Sequence, residues 1–231
     1  MKYSKVIKGK FVSRPNRFIA KIIVDGVEET VHVKNTGRCK ELLVENATVY
    51  LYVSDNPLRK TGYDLIAVEK ATSRGTILVN IDSQIPNDVA HEWLSECNLF
   101  SQKAKIKREF MYNKSRFDFY VEDGERKAFI EVKGVTLESD GVASFPDAPT
   151  ERGLKHINEL IYSLDEGYEA YILFVIQMKG INVFKPNDVT HKAFGDALRL
   201  AEKSGVKIIA VDSVVTPNEM KIDDFVPVCL F

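Results

Sequence analysis

Two acids and a lysine near the middle of the sequence have the types and spacing of a metal-dependent hydrolytic site. Glu131 and Lys133 are two residues apart, so a β-strand places both side chains on one face. Ile130 and Val132 then lie on the opposite, apolar face. Asp118 is the second acid of this set. These groups meet only if the strands that carry them are paired in the right register.

Two hairpin turns predict which acids face one another. A turn at residues 124–125 pairs Asp118 with Glu131, and a turn at residues 113–114 pairs Glu109 with Asp118. The three carboxylates then form a row across three strands, with the Cβ atoms of opposed residues about 4.5–5.5 Å apart. The prediction assumes regular hairpins, because a bulge in either one changes the pairing.

Opposed carboxylates destabilise a sheet unless a cation neutralises them, and oxygen ligands favour a hard ion. We therefore predict that Asp118 and Glu131 bind Mg²⁺ or Mn²⁺. Such an ion lowers the pKa of bound water and polarises a phosphoryl oxygen, while Lys133 orients the water or offsets charge in the transition state. This chemistry suits phosphodiester hydrolysis. The alternative is the polar outer face of a sheet, in which Lys133 forms an ion pair with one of the acids.

The pattern of apolar residues predicts two modules of different architecture. The first 82 residues contain short strand-like segments and no strong amphipathic helix, which is typical of a small closed β-barrel. Its expected strands are residues 6–12, 18–25, 28–33, 47–53, 63–70 and 76–82. Beyond Pro86 the predicted order is α-β-β-β-α-β with an α-β extension. Its elements are a helix at 87–96 capped by Asn87, strands at 104–112, 115–122 and 127–133, a helix at 150–166, a strand at 170–177, a helix at 188–203 and a strand at 206–215.

The segment at residues 134–149 is predicted to be a long loop beside the site. Loops of this length inside a compact domain are more often functional than decorative. The following helix presents polar side chains next to its apolar stripe, within reach of the carboxylates if it packs beside them. The candidate residues flanking the site are Asp147, Glu151, Arg152 and His156. The alternative is a solvated helix face with ordinary ion pairs.

The net charge of −1 conceals an asymmetry between the modules. Residues 1–82 carry 14 basic and 9 acidic side chains, whereas residues 83–231 carry 18 basic and 24 acidic ones. A basic module with interleaved aromatic residues favours nucleic acid, DNA or RNA, as the partner. The aromatic residues concerned are Phe11, Phe18, Tyr50, Tyr52 and Tyr63. The predicted nucleic-acid-binding residues are Arg14, Arg17, Arg38, Lys103, Lys105, Lys107 and Arg116. Charge alone fits equally well with lysines that only maintain solubility.

Several classes of protein are excluded by the sequence. The longest apolar run, residues 170–176, is far shorter than the roughly 20 residues that a membrane helix needs. The basic N-terminus has no apolar segment behind it, so it is not a signal peptide. The three cysteines lie far apart, which indicates reduced thiols and no zinc cluster. We therefore expect a cytoplasmic protein without a membrane partner, and leave open whether it forms a homodimer.

Six short runs are distinctive in combination, namely FVSRPNRF at 11–18, NTGR at 35–38, SRFD at 115–118, EVK at 131–133, FPDA at 145–148 and ERGLKH at 151–156. Together they resemble the sugar fermentation stimulation protein A (SfsA) family. They occur in the family's order and span most of the chain. The resemblance implies an OB-fold-like barrel at residues 1–83 and a domain similar to the PD-(D/E)xK nucleases at residues 84–231.

The same resemblance implies roles for individual residues. Asp118 and Glu131 would bind the metal, Lys133 would be the catalytic lysine, and Glu109 would be a preceding acid. Phe117 stands where the nuclease motif's name has proline. The resemblance also implies DNA binding. It leaves two functions open, namely a metal-dependent nuclease and a non-enzymatic regulator of sugar (maltose) metabolism genes.

Overall fold

The computed structural model describes residues 1–35 and 37–231, so Thr36, in the run at residues 35–38, lies outside the described residues. The first module is a barrel whose strand order is β3-β2-β1-β4-β5-β6. A parallel pairing of β3 with β5 closes it, so the prediction of a small closed barrel is confirmed. The strands are β1 (Val6–Asn16), β2 (Ile19–Val24), β3 (Val27–Val33), β4 (Thr48–Val53), β5 (Tyr63–Thr72) and β6 (Gly75–Asn80).

Alternation along the barrel strands separates interior from surface. In β2 every second residue is buried, and Ala20 and Ile22 have no exposed surface. The turn between β2 and β3 is formed by Asp25 and Gly26, whose φ angles of 49° and 83° fit the tight turn that a two-residue hairpin requires.

The second module is built on a sheet with the strand order β15-β14-β12-β9-β8-β7. Its central strand β12 is almost wholly buried, because helices cover both faces. Apolar residues of α1 pack on one face, and those of α2 and α3 pack on the other. The elements are α1 (Ile85–Glu96), β7 (Lys105–Tyr112), β8 (Ser115–Asp123), β9 (Arg126–Val135), α2 (Glu151–Asp165), β12 (Glu169–Ile176), α3 (Asp188–Ser204), β14 (Lys207–Thr216) and β15 (Glu219–Val226).

Three parts of the second module differ from the sequence prediction, and one of them is β15, an edge strand that the prediction lacks. The expected loop at residues 134–149 contains the strands β10 (Leu137–Ser139) and β11 (Val142–Phe145), which form a small sheet with β13 (Val183–Pro186). Helix α1 begins at Ile85, after Gln84, so Asn87 lies in its first turn and is not the cap. A proline at the start of a helix requires no amide partner, which allows α1 to begin before Asn87. By contrast, Thr150 caps α2 by accepting a hydrogen bond from the Gly153 amide at 3.0 Å.

Polar contacts connect the barrel to the second module. Lys70 of β5 donates to the carboxylate of Glu138 in β10 at 2.5 Å, and the Glu138 side chain is 1% exposed. The amide of Gln177 donates to the carbonyl oxygens of Asn80 and Asp82 at 3.1 Å each. These buried bonds hold the two modules in one relative orientation. Within residues 1–35 and 37–231, no helix is long and apolar enough to cross a bilayer.

The Lys70–Glu138 ion pair yields a stability prediction. Burial raises the pKa of Glu138, but Lys70 and the Gly141 amide lower it more, so the pKa of the folded protein lies below the usual 4.5. Glu138 therefore contributes stability above pH 4.5 that is lost as the pH falls through its folded-state pKa. We expect Lys70→Met to reduce the free energy of unfolding by about 3 kcal/mol at neutral pH, because it leaves a buried carboxylate unpaired.

Urea unfolding at several pH values checks this expectation. The double variant Lys70→Met/Glu138→Gln removes both charges and should recover part of the loss, because glutamine still accepts from the Gly141 amide. Equal stability of the single and double variants would contradict the proposed coupling.

Candidate metal centre and nucleic-acid interface

The predicted hairpin registers are present on both sides of Asp118. β8 and β9 pair through Asp123 with Arg126 and through Phe119 with Ile130. β7 and β8 pair through Tyr112 with Ser115. The ladder between β8 and β9 stops at the Phe119–Ile130 pair, so Asp118 and Glu131, the next pair in this register, are not joined by backbone pairing. Instead, Oδ2 of Asp118 accepts a hydrogen bond from the Val132 amide at 2.8 Å. The Asp118 side chain therefore takes the place of a backbone acceptor where the two strands separate.

Glu131 lies in the interior of the second module. It is 3% exposed, and its Oε1 contacts both the Lys133 ammonium and Nδ1 of His156. Lys133 lies two residues along the same strand, as alternation predicts, whereas His156 comes from α2. The other oxygen, Oε2, is buried and has no hydrogen-bond partner in the part of the chain that the structure describes. Glu131 thus has one oxygen fixed by the protein and one that a ligand can engage.

Asn87 of α1, which the sequence predicts to cap the helix, is instead a residue of the candidate site. Its Nδ2 donates to Oδ1 of Asp118 at 2.8 Å. Each Asp118 oxygen therefore accepts one hydrogen bond, from Asn87 on one side and from the Val132 amide on the other. These two bonds fix the carboxylate and leave further lone pairs on both oxygens.

The two acids have opposite pKa shifts. Burial, followed by the negative charge of Glu131, raises the pKa of Asp118 above its usual value. Burial also raises the pKa of Glu131, but Lys133 and His156 lower it more, and the net shift is downward. Glu131 is therefore stabilised as an anion by its neighbours, whereas Asp118 is destabilised as an anion by burial and by Glu131.

The expected row of three carboxylates is corrected to a pair. Glu109 has a φ of 53°, and the ladder between β7 and β8 skips it between Arg108–Phe119 and Phe110–Phe117. The register is the same on both sides, so no residue is inserted, but the left-handed conformation interrupts the backbone pairing of Glu109 with Asp118. The Glu109 side chain is 64% exposed and lies 3.4 Å from Arg116.

The residues that were expected to flank the site occupy different places. His156 is buried and contacts Glu131 directly. Arg152 and Glu151 are exposed and line an open groove that His156 also borders. Asp147 lies at the junction of the modules, where Oδ2 accepts from the Arg38 amide at 3.1 Å.

The predicted nucleic-acid-binding residues also differ in their availability. Arg14 stabilises the fold and is not free to bind a ligand. Its guanidinium donates to four carbonyl oxygens at 2.6–2.9 Å, those of Arg17, Asn35, Gly37 and Arg38. The remaining candidates have exposed side chains, namely Arg17, Arg38, Lys103, Lys105, Lys107 and Arg116. Two of these already contact acids, Lys107 with Glu122 and Arg116 with Glu109.

A second acidic group lies away from Asp118, and the sequence pattern did not predict it. Asp212, Asp223 and Asp224 are close enough together to share a cation. The ammonium of Lys179 already contacts all three carboxylates, at 3.0, 2.5 and 2.6 Å. This lysine neutralises the group, so we assign it a structural role.

Two family models match the chain. The SfsA N-terminal OB domain covers residues 12–81, and the sugar fermentation stimulation protein RE domain covers residues 84–219. The chain belongs to the SfsA family. Its barrel is accordingly the OB domain of that family, and the division into two domains is confirmed, although the expected boundary between residues 83 and 84 stays a prediction.

Named SfsA relatives match over the whole chain. A sugar fermentation stimulation protein homolog of Clostridium beijerinckii is 56% identical, with both proteins fully covered. One from Desulfitobacterium hafniense is 57% identical, covering 100% of this chain and 99% of the relative. The structure of Pyrococcus furiosus SfsA in complex with Ca²⁺ superposes with a TM-score of 0.84 at 26% identity, over 99% of this chain and 97% of that one.

The opposite pKa shifts of the two acids predict different effects on stability. In metal-free buffer at neutral pH, Asp118→Asn should change the free energy of unfolding by less than about 1 kcal/mol, because removal of a charge that the fold disfavours offsets the loss of one of the two hydrogen bonds that Asp118 accepts. Glu131→Gln should lower it by about 2 kcal/mol, because it leaves the Lys133 ammonium without its anion. Urea denaturation of both variants and the wild type measures the difference. Destabilisation of similar size in both variants would contradict the electrostatic description.

Proposed function

We propose that the chain binds DNA and hydrolyses phosphodiester bonds with Mg²⁺ or Mn²⁺ held by Asp118 and Glu131. The observation that carries the proposal is Oε2 of Glu131, a buried carboxylate oxygen without a partner in the described residues. A buried anion that lacks a partner is costly, and a second carboxylate beside it increases the cost. A divalent cation between the two acids would relieve both penalties.

The donor set fits a hard cation. Glu131 offers Oε2, and Asp118 offers lone pairs on two oxygens that are each fixed by one hydrogen bond. Mg²⁺ in proteins is commonly bound by one or two carboxylates, with water completing its shell. When bound, the ion would lower the pKa of a coordinated water and polarise a phosphoryl oxygen.

The chain's own residues would supply orientation and charge. His156 and Asn87 would hold the two carboxylates in place, because each contacts one of them directly. The Lys133 ammonium lies at Oε1 of Glu131, where it would offset the negative charge that develops on a phosphodiester under attack. Lys133 has a 15% exposed side chain, so it is accessible to a substrate that reaches Asp118.

DNA binding is supported by the OB domain and by basic surface beside the site. OB folds bind oligonucleotides in many proteins, and exposed arginine and lysine side chains meet phosphates. The Pyrococcus furiosus relative was solved in complex with Ca²⁺, a hard cation of the class that carboxylates prefer. We propose that this chain likewise binds a divalent cation.

A DNA-binding regulator without hydrolytic activity is the second candidate. The names of the relatives describe stimulation of sugar fermentation, which is an effect on metabolism and not a reaction. Such a regulator could use the same basic surface, with the Glu131–Lys133–His156 contacts serving stability alone. The two candidates differ in whether a metal ion and Lys133 are required for a chemical step.

Incubation with labelled DNA and RNA, single- and double-stranded, separates these functions. We expect cleavage by the wild type only when Mg²⁺ or Mn²⁺ is present. Asp118→Asn and Lys133→Met should each lower the rate by roughly 100-fold or more, because each removes a charge from the reacting centre. Lys127→Met is the matched control, since Lys127 is an exposed lysine of the same strand.

Metal binding is measured separately by calorimetry with Mn²⁺. Asp118→Asn should weaken Mn²⁺ binding, whereas Lys133→Met should not. Binding of DNA by all variants with no cleavage of any substrate would reject the nuclease and support the regulator. Cleavage that persists in chelator, or in the Asp118 variant, would reject this site as the catalytic centre.

A further inference from the structure

The turn between β1 and β2 carries an exposed aromatic ring. Of the five aromatic residues that interleave with basic ones in the barrel, Phe11 is buried in the core, and Tyr50, Tyr52 and Tyr63 are half-buried. Phe18 is 51% exposed, with the Arg17 guanidinium 5.7 Å from the centre of its ring. The structure therefore selects Phe18 from this set as the ring that is available to a partner.

This turn is held by hydrogen bonds and is not a loose loop. Oδ1 of Asn16 accepts from the Phe18 amide at 2.8 Å and from the Ile19 amide at 3.1 Å. Arg14 ties the Arg17 carbonyl to the carbonyls of the segment that contains Gly37 and Arg38. A ring on a fixed turn loses little conformational entropy when it binds a partner.

A basic groove of about 440 Å³ begins beside this turn. Arg17, Arg38 and Lys40 line it on the barrel side, and Ala148 lines it on the side of the second module. None of its lining residues within the described ranges is acidic. The groove therefore spans both modules and favours an anionic ligand.

A second groove, of about 620 Å³, lies at the start of α2, shortly after Ala148 in the chain. Four basic residues, Lys114, Arg116, Arg152 and Lys155, line it together with one acid, Glu151, and His156 forms part of its wall. Because His156 contacts Glu131, the wall of this groove is one side chain away from that carboxylate. Basic grooves thus lie both beside the Phe18 turn and next to a residue that contacts the candidate metal centre.

We propose that the substrate of this site is single-stranded DNA, with one unpaired base stacked on Phe18 and the adjoining phosphates in the groove of Arg17, Arg38 and Lys40. The inference rests on the proposed function and specifies its substrate class. The bases of an intact duplex are stacked on one another and cannot cover the ring, whereas an unpaired base can. An exposed aromatic ring among cations is the combination that binds single strands without sequence preference.

Fluorescence anisotropy with a labelled single-stranded DNA oligonucleotide, in chelator so that nothing is cleaved, tests the proposal. Phe18→Ala should weaken binding roughly 5- to 150-fold, the loss associated with one stacked base. The dependence of log Kd on log salt should stay unchanged, because stacking releases no counterions. Phe18→Trp should restore the affinity. Phe225→Ala is the matched control, since Phe225 is 69% exposed but adjoins Asp223 and Asp224.

The groove is tested by charge removal. Arg38→Gln/Lys40→Gln should weaken binding and reduce the salt slope by about 0.7 for each phosphate that the protein no longer neutralises. Lys203→Gln, an exposed lysine on α3, should change neither quantity. A blunt duplex should bind more weakly than the single strand, and Phe18→Ala should not affect it.

Three results would overturn the inference. They are an unchanged single-strand affinity in Phe18→Ala, tighter binding of the blunt duplex, and tighter binding of an RNA strand of the same sequence. Its failure is distinguishable from failure of the proposed function. Metal-dependent cleavage with no effect of Phe18→Ala on binding refutes the stacking site alone. Phe18-dependent binding without cleavage under any metal refutes hydrolysis and leaves the binding site standing.

Discussion

The contact of buried Glu131 with Lys133 and His156 is the interaction on which the candidate site depends. A carboxylate that is 3% exposed stays ionised only because two positive or hydrogen-bonding groups meet one of its oxygens. Those groups come from its own strand and from α2, so the position of α2 on the sheet helps Lys133 to keep the pKa of Glu131 low. The second oxygen belongs to a pair of acids with Asp118, whose pKa is raised by burial and by Glu131. Such a pair is unfavourable for stability alone, and favourable once a cation joins it.

The contacts between the modules extend this constraint to the barrel. Lys70 meets Glu138, Gln177 meets Asn80 and Asp82, and the Arg38 amide meets Asp147. Because the interface includes fully buried polar groups, sliding one module on the other would leave these groups without hydrogen-bond partners. The groove beside the Phe18 turn therefore has a fixed position relative to α2 and the carboxylates.

How much the sequence predicts depends on whether a residue's role is set by local spacing or by distant packing. The face shared by Glu131 and Lys133 follows from alternation, and the registers around Asp118 follow from two turns, so both could be predicted. The exposed position of Glu109 could not, because its positive φ interrupts the ladder and no turn signal marks that residue. Asn87 resembled a helix cap, but α1 begins before it and its amide binds Asp118.

The roles of the basic residues and of the segment at 134–149 also depend on distant packing. From the sequence alone, Arg14 and Arg17 are equivalent cations. In the structure, Arg14 donates to four carbonyl oxygens within the fold, whereas Arg17 is exposed. The strands β10 and β11 are only three and four residues long and depend on pairing with distant β13. A sequence pattern among neighbouring residues cannot show which carbonyl oxygens Arg14 contacts or which distant strand pairs with β11.

The two acidic groups of the second module show why geometry, and not composition, must identify a ligand set. Asp212, Asp223 and Asp224 form the larger group, but the Lys179 ammonium contacts every one of them. Their charge is balanced by the chain itself, and a divalent cation would have to displace that lysine. At the other group Lys133 and His156 share a single oxygen of Glu131, and the opposite oxygen is buried without a partner in the described residues. The smaller acidic group is therefore the stronger candidate for binding a metal, because its electrostatic balance is incomplete.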